Sequence, residues 1–218
     1  GMSQVEPSYI RRFYQNLKRE WLLYHLAIPY YRFLFDKPPA DEWVSIDCET
    51  TGLSVQTDEV ISIGAVKIIG SKIMTSERLE LIIKPSRLVS EQSIKIHHLR
   101  ERDVAHGLDP DEAIKQLLEF IGSRPLVGYY LEFDVAMLNK TIWRMLGFGL
   151  PQPKFEVSSM YYEYKNRQLP TSSRGGDIDL RFATIMNDLG LPTRTAHDAV
   201  NDSIMAAMAF IKLRELLK

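Results

Sequence analysis

Three consecutive runs rich in β-branched and apolar residues, at 43–49, 60–69 and 72–84, constrain the fold of this chain more than any other feature. Gly70-Ser71 between the last two is a two-residue turn signal, so those runs are expected to pair as a hairpin. Three strands in succession predict an antiparallel meander. Helical and strand-like segments then alternate. Asp109 suits an N-cap, Pro110 a first helical position and Glu112 the third member of a capping box. Ile114, Leu117, Leu118 and Ile121 supply the apolar face, and Gly122 a stop. A short strand is expected over 125–130 and a helix over 133–146, ended by Gly147. Residues 148–177 read as irregular, with an aromatic group at Tyr161, Tyr162 and Tyr164. Further helices are expected over 178–189 and 198–217. Three strands followed by alternating helix and strand predict an α/β domain, a mixed sheet with helices on both faces.

The regular alternation begins after Lys37-Pro38-Pro39, which divides the 218-residue chain into a helical extension, 1–40, and a main domain, 41–218. In the extension Ile10, Phe13, Leu17, Trp21, Tyr24 and Ile28 recur at steps of three and four, the mark of an amphipathic helix. Ser8 suits its N-cap and Pro29 its end. Arg11, Arg12, Lys18 and Arg19 occupy its polar side. Such a helix can pack on its own domain, or dock to a protein partner or a second copy. A Tyr- and Trp-bearing stripe suits a protein interface better than a membrane surface. Gly1 before Met2 reads as an expression scar, and no secretory leader or apolar run of membrane-spanning length is recognised. With Cys48 the single cysteine, no internal disulfide can form, and a reducing cytoplasm is expected. A net charge of −1 gives no electrostatic signature of nucleic-acid binding. That objection weakens where metal ions supply the positive charge facing phosphate.

The chemistry concentrates in carboxylates. Asp47 and Glu49 alternate with Cys48 along the first strand, so both acids point to one face and Cys48 to the other. Two acids closing an apolar strand are costly to bury unless cations or hydrogen bonds compensate. The same pattern also suits a strand end meeting solvent. Asp134 lies in the first turn of a helix, where the dipole favours an acid whether or not it has a further role. In His197-Asp198-Ala199-Val200-Asn201-Asp202, a helix capped by Asp198 leaves His197 in the preceding loop and carries Asp202 in its first turns.

Together these segments resemble the DnaQ-like 3′→5′ exonucleases, of the kind found in DNA polymerase III epsilon subunits. Asp47-x-Glu49-Thr50-Thr51-Gly52-Leu53 is similar to the first motif of that family. Val127-Gly128 through Phe133-Asp134 is similar to the second, and His197-x-Ala199-x-x-Asp202 to the third motif of the histidine-containing (DEDDh) branch. Ile96-His97-His98-Leu99 resembles a segment common between the first two motifs. Tyr129-Tyr130, Ser158-Ser159 and His98 depart from the usual wording. The resemblance covers roughly residues 43–215 and implies a ribonuclease-H-like fold. It implies two divalent ions, Mg²⁺ or Mn²⁺, held by Asp47, Glu49, Asp134 and Asp202, with His197 as general base. By the same resemblance Thr50, Thr51, Gly52, Leu53 and Phe133 contact the terminal nucleotide. The substrate is then a nucleic acid with a free 3′ end, and the Glu49-Thr50-Thr51-Gly52 wording favours DNA over RNA. An RNA exonuclease of the same fold and an idle binding module are the alternatives.

Overall fold

The structure is a computed structural model that describes residues 7–86, 106–193 and 198–218. Its centre is a five-stranded sheet of β1 (Glu42–Thr50), β2 (Val60–Ile69), β3 (Lys72–Ile82), β4 (Leu126–Gly128) and β5 (Lys154–Glu156), in the order β3-β2-β1-β4-β5. β1, β2 and β3 form the expected antiparallel meander, turned at Gly70 with φ 62°. β4 and β5 run parallel to β1. β1 is therefore the strand at which pairing direction reverses, and ligands of open α/β sheets gather outside the carboxyl ends at such a place.

Two apolar layers follow from the alternation of side chains along β1. Val44 and Ile46 face α2 (Pro110–Ile121) and α3 (Leu131–Leu146), burying Ile114, Leu117, Leu118, Leu138 and Ile142. Cys48 packs against this layer, as its place opposite Asp47 and Glu49 predicts. Trp43 faces the other layer, built from α4 (Val157–Arg167), α5 (Phe182–Asp188) and α6 (Ala199–Leu216). Its ring meets Phe210 edge-on at 5.2 Å. α6 is apolar nearly all round because it lies across the sheet beneath its neighbours.

Local structure departs from the sequence expectation in identifiable ways. The stretch read as irregular contains β5 and α4. β5 has three residues, too few for a periodic signal, and α4 is capped by Glu156, whose carboxylate accepts from the Ser158 N–H. Glutamate is outside the usual cap set. α5 begins at Phe182 rather than 178, because Asp179 accepts from both the backbone and the guanidinium of Arg181 and holds the approach in a turn. α3 begins at Leu131. Asp109 occupies the cap position of α2 but makes no side-chain cap bond, and Glu112 accepts from Gln116 instead of closing a capping box. Pro110, Gly122 and Gly147 hold their expected places.

In the extension, α1 (Pro7–Tyr24) already includes Ser8, so Ser8 is not its cap. The helix ends at Tyr24, before Pro29, and the His25 Nδ1–H and backbone N–H both donate to the Trp21 carbonyl in its last turn. Pro29 opens a 3-10 turn, Pro29–Phe35, and Tyr31, Leu34 and Phe35 are buried in the α2/α3 layer. Among the described residues no helix is long and apolar enough to cross a membrane.

Candidate active site

The site forms at the carboxyl end of β1. Glu49 and Thr50 mark a shift in the β1–β2 register, a bulge of the kind that re-aims side chains beside functional sites. β1 pairs with β4 only through Ser45, leaving Asp47 to Glu49 beyond the end of β4. Asp47 and Glu49 share the face of Trp43 and Ser45, and so turn toward α6.

α6 brings Asp202 to meet them. Asp198 caps the helix, its Oδ1 accepting from the Asn201 N–H at 2.9 Å. Ser45 Oγ donates to the Ser203 carbonyl at 2.7 Å, which ties the second turn of α6 to β1. Gly64, opposite Asp47 in the β1–β2 register, removes the last obstacle. A Cβ there would fall inside the backbone of Ala199 and Val200. The helix start consequently lies directly on the sheet. One carboxylate oxygen each from Asp47, Glu49 and Asp202 lies within 4.8 Å of the others, a spacing able to hold a metal ion. Oxygen-only donors suit a hard cation such as Mg²⁺ or Mn²⁺.

Asp134 arrives from α3 and the opposite layer. It lies in the first turn of α3, where the dipole favours an acid, and is 4% exposed. Its Oδ2 finds no hydrogen-bond donor among the described residues. A buried carboxylate oxygen without a donor calls for an explanation, and a bound cation would be one. Burial drives the Asp134 carboxyl well above its ordinary value, with Glu49 and Glu156 adding to the rise and a Cys48 backbone N–H opposing it. Asp47 is also raised well above the ordinary range by burial, then by Asp134, Asp202 and Glu49. Asp202 is pushed up to about 7 by burial, Glu49 and Asp198. The protein alone thus holds this cluster partly protonated near neutral pH. Bound cations would reverse those shifts, and the donor set fits them.

The residues after β1 build the rim. Thr50 Oγ1 donates to the Gly52 carbonyl and Thr51 Oγ1 to Asp58 Oδ1. Asp58 also accepts from the Ser54 N–H. A Cβ on Gly52 would stand 2.5 Å from the Asp58 carboxylate, so the close approach that glycine permits is to Asp58. Leu53 projects from this loop at 88% exposure, whereas Phe133 is partly buried. Tyr130 caps α3 in the left-handed region, φ 51°, and its ring is exposed. Glu156 steadies that corner, accepting from the Tyr130, Leu131 and Ser158 N–H groups. His197, His97 and His98 lie outside the described residues.

Sequence reasoning missed Gly64, Ser45, Asp58 and Glu156. Only Gly64 carries a readable signal, a glycine inside a β-branched strand, which marks close backbone approach.

The mixed sheet, with carboxylates gathered beyond the end of β1, has the ribonuclease-H-like fold. Residues 44–210 match the family model RNase_T, described as an exonuclease, and the chain belongs to that family. It is 28% identical over 176 residues to the PolC-type DNA polymerase III of Thermotoga maritima, spanning 81% of this chain but 12% of that relative. The DNA polymerase III epsilon subunit of Aquifex aeolicus is 26% identical over 175 residues, covering 80% of this chain and 81% of its own length. Escherichia coli exonuclease I, solved with a dA16 oligonucleotide, superposes with a TM-score of 0.65 at 16% identity, over 80% of this chain and 41% of that one. Exonuclease X, solved with 5′-overhanging duplex DNA, gives 0.58 at 22% identity, over 79% and 91%.

Proposed function

We propose that the chain is a metal-dependent 3′→5′ exonuclease that removes nucleoside 5′-monophosphates from single-stranded DNA ends. The convergence of Asp47, Glu49 and Asp202 on one point, with the unpartnered Asp134 oxygen beside it, carries this reading. In it Asp47, Glu49 and Asp202 hold one divalent ion, and Asp47 and Asp134 a second. Two such ions, Mg²⁺ or Mn²⁺, supply charge neutralisation at the phosphate, a more acidic water and stabilisation of the leaving 3′ oxygen.

His197 directly precedes the Asp198 cap in the chain. Its role in this reading is to take the proton of the attacking water, which an imidazole can do at neutral pH. The water oxygen bonds to the terminal phosphorus as the bond to the 3′ oxygen of the penultimate nucleotide breaks. Thr51 and Gly52 place the terminal sugar, and Leu53 and Phe133 its base. The exposed Leu53 and the Asp58-braced loop suit that task. DNA is favoured over RNA by the Glu49-Thr50-Thr51-Gly52 wording and by relatives named as DNA polymerase III proteins. The reading includes action in the cytoplasm.

The test is incubation with Mg²⁺ or Mn²⁺ and 5′-labelled single-stranded DNA and RNA of one sequence, with Asp47→Ala alongside. A ladder shortening from the 3′ end, faster on DNA and absent in the variant, is expected. Equal shortening by Asp47→Ala would sink the assignment, and faster shortening of RNA would reverse the substrate preference.

A further inference from the structure

α1 presents a seam that the rest of the fold leaves uncovered. Ile10, Tyr14, Leu17, Trp21 and Tyr24 follow one another at steps of four, three, four and three, an average of 3.5 residues. Such steps keep the five side chains on one face of the helix along its whole length. Their exposures are 46, 65, 51, 59 and 86%, and Phe13 beside them is 56% exposed. Leu22 and Leu23, on the other side of the helix, are the α1 residues packed against the domain. The seam therefore faces away from the protein to which α1 is attached. The extension is anchored by Arg19 Nε–H donating to the Phe35 carbonyl and by the Ala27 N–H donating to Leu146 at the end of α3. Asp134 is in the first turn of α3, so α1 lies at the pole opposite the carboxylate cluster.

We propose that this seam pairs with the α1 of a second copy, in parallel, to form a homodimer with both active sites open. Area supports it. Aromatic side chains cover ~150–250 Å² each when buried, so six large residues at these exposures offer roughly 800 Å² per copy, about what each partner of a standard interface contributes. Helix stability supports it as well, because helices in proteins draw most of their stability from a packed amphipathic face, and covering this seam would supply one. Charge selects the direction. Arg11 and Lys18 flank one side of the seam, and Phe13 and Glu20 flank the other. A parallel pair sets Phe13 of one copy beside Lys18 of the other, a cation–π arrangement, and Glu20 near His25. An antiparallel pair would instead set Arg11 against Lys18.

The test is sedimentation equilibrium on the full chain, on Trp21→Glu and on Ile10→Cys, with exonuclease activity and circular dichroism as controls of folding. The expected result is a dimer for the unaltered protein and a monomer for Trp21→Glu with activity per chain unchanged. Under mild oxidation Ile10→Cys should link to itself, since residues at one end of the seam meet their own copies only in a parallel pair; in an antiparallel one Ile10 lies toward the other end of the partner's seam. A monomeric unaltered chain, or a dimer that survives Trp21→Glu, would overturn the proposal. A dimer that Ile10→Cys does not cross-link would overturn its parallel geometry. Because dimerisation is read without nucleic acid, failure here leaves the nuclease reading standing, and loss of that reading leaves the dimer standing.

Discussion

The two poles of the molecule break opposite halves of the same rule. At the carboxyl end of β1 the fold buries what water would hold well: Glu49 and Asp134 are 6% and 4% exposed. On α1 it exposes what water excludes: Trp21 and Tyr14 are more than half exposed. A buried acid costs several kcal/mol unless compensated, and an exposed apolar patch of several hundred Å² marks a surface meant to be covered. The partner proposed at each pole matches the violation in chemistry, cations at one and an apolar helix at the other. The two poles also differ in support. β1, β2, α3 and α6 converge on the carboxylates, whereas the first turns of α1 touch none of the described core.

The largest test of that contrast is Asp47→Ala. Its loss should lower the exonuclease rate by at least ~10²-fold, the scale of deleting one preorganised electrostatic group. Metal-free thermal stability should stay the same or rise, because a repelling charge has gone. A large fall in Tm would show Asp47 to be structural and erase the distinction between the poles.

Gly64→Ala comes next and probes geometry without touching an acid. The added Cβ meets backbone, which cannot rotate away, so the start of α6 must lift from the sheet and carry Asp202 with it. Overpacking of this kind costs about 1–3 kcal/mol. A displacement near 1 Å is expected to cost ~10²-fold in rate. Normal Mg²⁺ dependence and rate in a destabilised Gly64→Ala would show that the helix start does not set the site.

Gly64 also shows how far the sequence carries. The antiparallel meander, the helices on both faces and the capping of α6 by Asp198 were legible because each has a periodic or local signal. The nearness of Asp47, Glu49 and Asp202 was anticipated through resemblance to a family, not through geometry. What stayed hidden is contact between segments far apart in the chain. Ser45 bonding Ser203, Asp58 filling the space over Gly52 and Glu156 bridging α3 and α4 leave no trace in local pattern. Asp134 shows the same limit, since its place in a first turn said nothing of its burial.

A smaller effect should appear in stability against pH. Asp202 titrates at about 7 in the fold, above the ordinary carboxylate value, and Asp47 and Asp134 are raised too. The folded state therefore binds more protons than the unfolded chain between about pH 4 and 7, and the stability contributed by these groups falls as pH rises through that window. Without metal, Tm should decline from pH 5 to pH 7.5. Mn²⁺ or Mg²⁺ should restore more at pH 7.5 than at pH 5, where protons compete with the ions. Calorimetric scans at both values check this. An equal metal effect at both would mean that the cluster is not the metal site.

The smallest effect separates binding from folding at the catalytic pole. Leu53 is 88% exposed and packs on nothing that a truncation would uncover. Leu53→Ala should leave the unfolding free energy within ~0.5 kcal/mol of the original, as for an ordinary surface change. If Leu53 meets the terminal base, losing its methyl groups removes substrate contact worth roughly a tenfold change in kcat/KM. That loss should appear mainly in KM with kcat retained, because the contact is made before and during reaction alike. An unchanged KM would set Leu53 beside Trp21 on α1, an exposed apolar residue away from the proposed nucleotide site.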